Sequence, residues 1–183
     1  MSQLMGGEVL ARALVANGVD TLFGIPGVQL DPVFAGLHDM QDRLRVIHAR
    51  HEQGVALMAM GYAQVTGRMG TLLVVPGPGF LNATTGILTA HATNTPLLCL
   101  VGQSERMYID SGLGVLHELH NQIGIAATMC KWTHRVVDAN AITGDLREAI
   151  EQVHHYRPRP VYLELPSDVV RMPVSDAAPL IAS

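Results

Sequence analysis

The sequence predicts an α/β fold: a doubly wound, mostly parallel six-stranded sheet with helices on both faces. Helical and strand patterns take turns along the 183 residues, and the strands are continuous aliphatic runs instead of alternating ones. Such strands are buried on both faces, as happens when helices cover each side of a parallel sheet. The 18 glycines and 10 prolines suit the many tight loops that this fold needs.

In the first half of the chain, each element has a local signal. Helices are predicted where apolar residues recur with the helical period, and strands where short aliphatic runs end at a turn. In order, these are a helix over 8–17, a strand over 21–23, a turn over 24–27, a helix over 30–38, a strand over 45–49 and a helix over 52–66. Gly18 is a suitable left-handed cap for the first helix, and Gly67 stands at the end of the third.

The second half continues this pattern and then loses it. In order, we expect a strand over 71–75, a loop over 76–79, a helix over 82–92, a strand over 97–101 and, after a less regular stretch, a strand over 132–137, a helix over 141–155 and a strand over 161–165. From Pro166 onward the chain becomes polar and proline-rich. We therefore expect one domain over residues 1–166 and, over residues 167–183, a linker toward a further domain.

Composition and charge disfavour several classes of function. Twelve Lys and Arg against sixteen Asp and Glu give a net charge of −4 without a long basic block, which disfavours a nucleic-acid partner. The sequence contains no run of about 18 uncharged apolar residues, the length that a membrane span requires. The two cysteines show no motif spacing and are expected to be reduced thiols. We therefore expect a soluble, cytoplasmic protein.

Ligands of a parallel sheet gather at the carboxyl ends of its strands, and three loops there are candidates. They cover residues 24–27, 48–52 and 76–82, and each leads from a strand end into a helix. Glycines in these loops would let a flat ring lie against the backbone, while prolines would hold the loops rigid.

The segment from Gly77 to Asn82 also imitates the dinucleotide fingerprint. However, Asn82 stands in place of the third glycine, and no acidic residue closes the next strand near Leu100. The other interpretation of this segment is a tight strand-to-helix turn with Asn82 as the helix cap. A third interpretation, a backbone surface for a flat ring, fits this segment better than either.

Glu52 opens a helix whose next residues are almost wholly apolar. Partial burial of a carboxyl favours its protonated form, which keeps a proton available to give or share at neutral pH. The alternative is a surface glutamate in a first helical turn, where the helix dipole favours it. Local sequence leaves both interpretations open.

Nine histidines raise the question of a metal site. The pair His51-Glu52 lacks the second histidine of an HExxH motif, because Val55 stands in its place. His117 and His120 lie about one turn apart without a third ligand at a convincing spacing. We therefore expect no metal ligands in this chain.

Several motifs, in order along nearly the whole chain, match one known family. They are Leu22-Phe23-Gly24-Ile25-Pro26-Gly27, His51-Glu52 followed by Gly61-Tyr62-Ala63 and Thr66-Gly67, Gly77-Pro78-Gly79 with Asn82, Pro96 with Val101-Gly102-Gln103, and Pro160-Val161-Tyr162-Leu163-Glu164-Leu165-Pro166. Together they resemble the N-terminal pyrimidine-binding domain of thiamine diphosphate enzymes, in particular the acetolactate synthase group and its decarboxylase relatives. The resemblance implies the thiamine diphosphate-binding fold.

The resemblance also implies roles for individual residues. In that family the glutamate matching Glu52 hydrogen-bonds N1′ of the cofactor's aminopyrimidine and promotes the tautomer that deprotonates the thiazolium ring, so Glu52 would be catalytic. Gln103 would be a second catalytic residue that faces the reacting centre. The residues expected to bind the cofactor are Ile25, Pro26 and Gly27, which line the pocket, and Glu52, Gly77, Pro78 and Asn82, which meet the pyrimidine or the partner subunit.

By the same resemblance, the substrate would be a 2-oxo acid that is decarboxylated or joined to a second carbonyl compound. The family holds the diphosphate through Mg²⁺ on a separate domain with Gly-Asp-Gly and Asn-Asn motifs, and neither motif occurs here. We therefore expect this chain alone to be inactive, and the diphosphate-binding domain to lie in the same or a separate chain. A homodimer or tetramer is expected, since the family's site lies at a subunit interface; FAD dependence is left undetermined.

One departure from the family pattern concerns the substrate. Where acetolactate synthases typically have Phe-Gln-Glu, this chain has Leu116-His117-Glu118, so the substrate-facing polar group differs. Two other functions remain as alternatives. One is an NAD-binding oxidoreductase domain, and the other is a non-catalytic half-subunit or interaction module in which Glu52 is only structural.

Overall fold

A computed structural model describes residues 3–175 of the chain. They form one six-stranded sheet in which every neighbouring pair of strands is parallel, in the order β2-β1-β3-β4-β6-β5. The strands are β1 (Thr21–Gly24), β2 (Arg45–His48), β3 (Gly70–Val74), β4 (Leu97–Gln103), β5 (Trp132–Arg135) and β6 (Val161–Pro166). This confirms the predicted fold class and the number of strands.

Helices cover both faces of this sheet. They are α1 (Gly6–Ala16), α2 (Asp31–Asp39), α3 (Glu52–Thr66), α4 (Pro78–Ala92), α5 (Gln122–Ala127), α6 (Ile142–His154) and α7 (Ser167–Val170). One hydrophobic core lies under α1, α2, α6 and α7, and a second lies under α3, α4 and α5. Leu73 points into the first core and Leu72 into the second, which explains why the central strand β3 is apolar at consecutive positions. The edge strands β2 and β5 are only partly buried and carry polar residues, so the expectation of aliphatic runs fails for them.

The predicted start of the fourth helix was wrong. The helix begins at Pro78 and not at residue 82, because Gly77 takes the N-cap position and Pro78 the first helical position. Proline suits that position, since its missing N–H would have no partner within the helix. Asn82 therefore lies inside the helix and is not its cap.

The stretch after β4, which looked irregular in the sequence, contains the short helix α5. Past β6, the chain continues to pack on the domain: Val169, Val170 and Val174 are buried in the first core. The expected linker over residues 167–183 thus begins with packed residues, and its last part, residues 176–183, lies outside the described residues. Between residues 3 and 175, no helix combines the length and the apolar character needed to cross a bilayer.

Candidate functional site

The three loops predicted to carry a ligand meet at one edge of the sheet. Strand β1 lies between β2 and β3, and all three run in the same direction, so their carboxyl ends lie side by side. The loops after these strands hold the Gly24–Gly27 turn, Glu52 and the Pro76–Gly79 turn.

The Pro76–Gly79 turn is built so that only glycine fits at its second position. Gly77 has φ +56° and ψ −111°, and the Gly79 N–H donates to the Pro76 carbonyl oxygen at 3.3 Å, which is the geometry of a type II′ turn. A Cβ at Gly77 would also overlap the carbonyl oxygen of His117. The backbone here is therefore bare toward the loop that carries His117.

Glu52 is the first residue of α3 and is half-buried. The Asn82 side-chain amide donates to Glu52 Oε2 at 2.9 Å, and the Cβ position of Gly79 lies 3.5 Å from Glu52 Oε1. Among the residues that the structure describes, none donates a hydrogen bond to Oε1. The carboxylate is thus held from one side by Asn82, lies against the glycine turn and keeps one oxygen open.

The packing of α3 on α4 explains why Asn82 reaches Glu52. One helical turn after this pair, the Cβ position of Gly86 lies 2.6 Å from Ala56 Cβ, so a side chain at Gly86 would not fit. Both contacts therefore lie on facing helix surfaces, four residues apart on each helix. Because Ala56 and Gly86 are small, the helices approach closely enough for Asn82 to reach Glu52.

The Gly24–Gly27 turn and the Pro76–Gly79 turn meet across Val75. A Cβ at Gly27 would overlap Val75 Cγ1, and a Cβ at Gly79 would lie 2.5 Å from Val75 Cγ2. Ile25 is half-buried and packs against the core beneath α3 and α4, whereas Pro26 is exposed. The predicted pocket residues of this turn thus lie next to the turn that carries Gly79.

Gln103, the second predicted catalytic residue, is buried with an exposed fraction of 2%. Its Nε2 donates to Glu164 Oε1 at 3.2 Å, and its Oε1 accepts from the Ser104 N–H at 2.8 Å. Both ends of the amide are therefore engaged within the chain, and no hydrogen bond among the described residues joins it to Glu52. Its proposed role at the reacting centre stays a prediction.

A buried polar network that sequence reasoning missed lies beneath the Gly77 turn. At its centre is the fully buried carboxylate of Glu164, which pairs with the Arg135 guanidinium and accepts from the Tyr162 hydroxyl at 2.6 Å. Burial, reinforced by the Glu164 charge, raises the pKa of Tyr162 well above its ordinary value, so this phenol stays protonated and donates. Gln122 joins the network to the turn. A glutamate inside the apolar run of β6 was the available signal.

The loop with His117 closes one side of the edge. Glu118 accepts from the backbone N–H groups of Gly112 and Gly114, which lower the pKa of its carboxyl and fold the loop around it. His117 Nδ1 lies 3.3 Å from Gln29 Nε2. This loop and Pro78 line a groove of about 550 Å³.

Within residues 3–175 there is no cluster of three or more His, Cys, Asp or Glu side chains that could hold a metal.

Comparison with known proteins identifies a family. The family described as "Thiamine pyrophosphate enzyme, N-terminal TPP binding domain" matches residues 4–127 of the chain. This match covers the Gly24–Gly27 turn, Glu52 and the Pro76–Gly79 turn.

Curated relatives match over more of the chain. The "Probable 2-ketoarginine decarboxylase" of Pseudomonas aeruginosa is 36% identical over 94% of this chain and 30% of its own length. The acetolactate synthase large subunit of Lactococcus lactis is 33% identical over 93% of this chain and 29% of its own length. The acetolactate synthase isozyme 3 large subunit of Escherichia coli is 35% identical with the same coverage of 93% and 29%. The chain therefore spans about three tenths of the length of these relatives.

Proposed function

The chain belongs to the thiamine pyrophosphate enzymes, as an N-terminal TPP binding domain, and from this premise we propose that it binds the aminopyrimidine ring of thiamine diphosphate beside Glu52. The observation that carries the proposal is the carboxylate of Glu52, which Asn82 holds against Gly79 with one oxygen open. A carboxylate placed in this way suits hydrogen bonding to a ring nitrogen. Gly79 suits a flat ring, because without a side chain its backbone lies bare beside Glu52 Oε1.

Each residue of the site has a task in this proposal. Glu52 Oε1 holds or shares a proton with N1′ of the pyrimidine, and Asn82 fixes the orientation of the carboxylate. Gly79 leaves the backbone bare beside Glu52 Oε1, and Gly77 shapes the turn that presents it. Ile25 and Pro26 form an apolar wall with Gly27 and Pro78. When bound, thiamine diphosphate supplies an electron sink for the decarboxylation of a 2-oxo acid. The protein's own contribution is proton supply, orientation and exclusion of water.

For the whole protein, we propose decarboxylation of a 2-oxo acid, with release of an aldehyde or carboligation to a second carbonyl compound. This would make it a lyase or a transferase. The relatives named above, a decarboxylase and two acetolactate synthases, support this range of reactions. His117 stands where acetolactate synthases have glutamine, which favours a substrate other than that of acetolactate synthesis.

The diphosphate and its Mg²⁺ would be held by another domain, since the chain lacks the Gly-Asp-Gly and Asn-Asn motifs. That domain would meet this one at a subunit interface of a cytoplasmic homodimer or tetramer. Leu57 on α3 and Leu81 and Leu88 on α4 are 38%, 44% and 55% exposed, which supports a partner surface next to Asn82. This chain alone would then be inactive.

Substitution Glu52→Gln tests the proposal in the enzyme assembled with its diphosphate-binding domain. The variant keeps the shape of the side chain but cannot exchange a proton with N1′, so we expect 2-oxo acid decarboxylation to fall about 100-fold or more. Glu151→Gln is the matched control, because Glu151 is an exposed residue of α6 on the opposite face of the sheet. The proposed function would be refuted if the Glu52→Gln enzyme were fully active. It would also be refuted if the unaltered enzyme bound NAD in place of thiamine diphosphate.

A further inference from the structure

The N–H of Gly77 is buried and needs a partner from outside its own turn. Gly77 precedes the first turn of α4, so no helical carbonyl is available to it. Gln122 supplies the partner: its Oε1 accepts from the Gly77 N–H at 2.7 Å. A buried N–H without an acceptor would destabilise the protein, so the turn requires this hydrogen bond.

The orientation of the Gln122 amide is itself determined by the network around Glu164. Gln122 is fully buried, and the two N–H donors of its Nε2 are shared among three acceptors: Gly102 O at 3.1 Å, Glu164 Oε1 at 3.1 Å and the Tyr162 hydroxyl oxygen at 2.9 Å. A flipped amide would direct its oxygen at the Glu164 carboxylate and its NH₂ at the Gly77 N–H, which are two mismatches. The acceptor therefore has to face Gly77.

The position of Gly77 affects Glu52 through the first turn of α4. The Gly77 carbonyl oxygen accepts from the Leu81 N–H at 2.9 Å, which begins the hydrogen bonding of α4. Asn82 is the next residue, and its side chain holds Glu52 Oε2. On its other side, Gly77 lies against the backbone of His117, so the turn is fixed between Gln122 and the His117 loop.

We propose that Gln122 is a positioning residue of the cofactor site: it holds the Gly77 turn, and through the start of α4 it places Asn82 against Glu52. The inference rests on the proposed function, since the Asn82–Glu52 pair matters to catalysis only if Glu52 meets the pyrimidine. Gln122 acts through Gly77 and touches neither Glu52 nor Asn82 within the hydrogen bonds that the described residues form.

The test follows two sets of NMR signals in the chain without any cofactor: the Gly77 backbone amide and the Asn82 side-chain NH₂. In Gln122→Met no acceptor faces Gly77, and in Gln122→Asn the oxygen falls short by about one C–C bond, roughly 1.5 Å. We expect hydrogen exchange of the Gly77 amide to accelerate about tenfold in both variants, and the Asn82 NH₂ signals to shift. The matched control is Tyr162→Phe, which removes a bond to Glu164 and one of the three acceptors around Gln122 Nε2, but leaves Gly102 O and Glu164 to orient the amide and keeps the Gln122–Gly77 bond.

In Tyr162→Phe, the Gly77 and Asn82 signals should stay as in the unaltered chain even if the protein is less stable. If Gln122→Met does not give a folded spectrum, the more conservative Gln122→Asn decides. Unchanged Gly77 exchange and Asn82 signals in a folded Gln122 variant would overturn the inference, as would equal changes in Tyr162→Phe. Because these signals are read without thiamine diphosphate, they are independent of the Glu52→Gln experiment, which tests the proposed function.

Discussion

Gly77 is the residue at which the candidate site and the buried network around Glu164 meet. Its N–H is held by Gln122, its carbonyl oxygen begins α4, and its missing side chain makes room for His117. The dihedral angles of φ +56° and ψ −111° belong to a region that residues with a Cβ rarely adopt. Two independent penalties would therefore follow from any side chain at this position.

Substitution Gly77→Ala, compared with a glycine-to-alanine substitution at an uncrowded position of positive φ, measures what these penalties cost. The new Cβ would meet both an unfavourable backbone conformation and the His117 carbonyl oxygen, so we expect the free energy of unfolding to fall by about 3 kcal/mol or more. Gly67→Ala is the control, because Gly67 has φ +70° but nothing within 4 Å of its Cβ position. It should cost about 1–2 kcal/mol. Urea unfolding measures both, and equal losses would show that the His117 contact is unimportant.

Some features of the site around Glu52 could be predicted from local sequence patterns, and others could not. Its position at the start of a helix, and the glycine turns near it, followed from local patterns. The bond from Asn82 did not, because it joins residues 30 positions apart through the packing of two helices. Gln122 was also missed, since no local pattern says that a glutamine at the start of a short helix has a buried backbone N–H to satisfy.

At the scale of elements, helices α3 and α4 form the unit that presents the site. Ala56 and Gly86 allow the two helices to pack closely, and the first residues of both face the carboxyl edge of the sheet. Their outer surface carries the exposed leucines Leu57, Leu81 and Leu88. Apolar side chains beside a polar site are typical of a surface that a partner covers.

The double substitution Leu81→Glu with Leu88→Glu tests whether this surface mediates self-association. Burial of two leucines in an interface contributes several kcal/mol, and two buried charges oppose it, so we expect dimerisation to weaken at least about tenfold. Sedimentation velocity measures the change. Tyr156→Glu is the control, because Tyr156 is 91% exposed beyond the end of α6 and away from α3 and α4. Equal association of both variants would place the interface elsewhere.

At the scale of the whole molecule, the sequence was sufficient for the architecture. Six strand patterns, most of them rich in apolar residues and separated by helical patterns, leave few arrangements other than a covered parallel sheet, and the strand order then brings three loops to one edge. The start of α4 has a local signal, Pro78 at the first helical position, which is not part of the apolar period, whereas the presence of α5 and the network around Glu164 depend on contacts between distant segments. These features could not be read from local periodicity, although they determine the geometry of the site.

In the proposed function, the open oxygen of Glu52 receives the pyrimidine ring of thiamine diphosphate. The most direct test is a high-resolution structure of the assembled enzyme with thiamine diphosphate and Mg²⁺ bound. We expect Glu52 Oε1 within about 2.6–3.0 Å of N1′, with the ring against Gly79 and Asn82 still on Oε2. A pyrimidine bound elsewhere, or a Glu52 side chain turned into solvent in the loaded enzyme, would contradict the account.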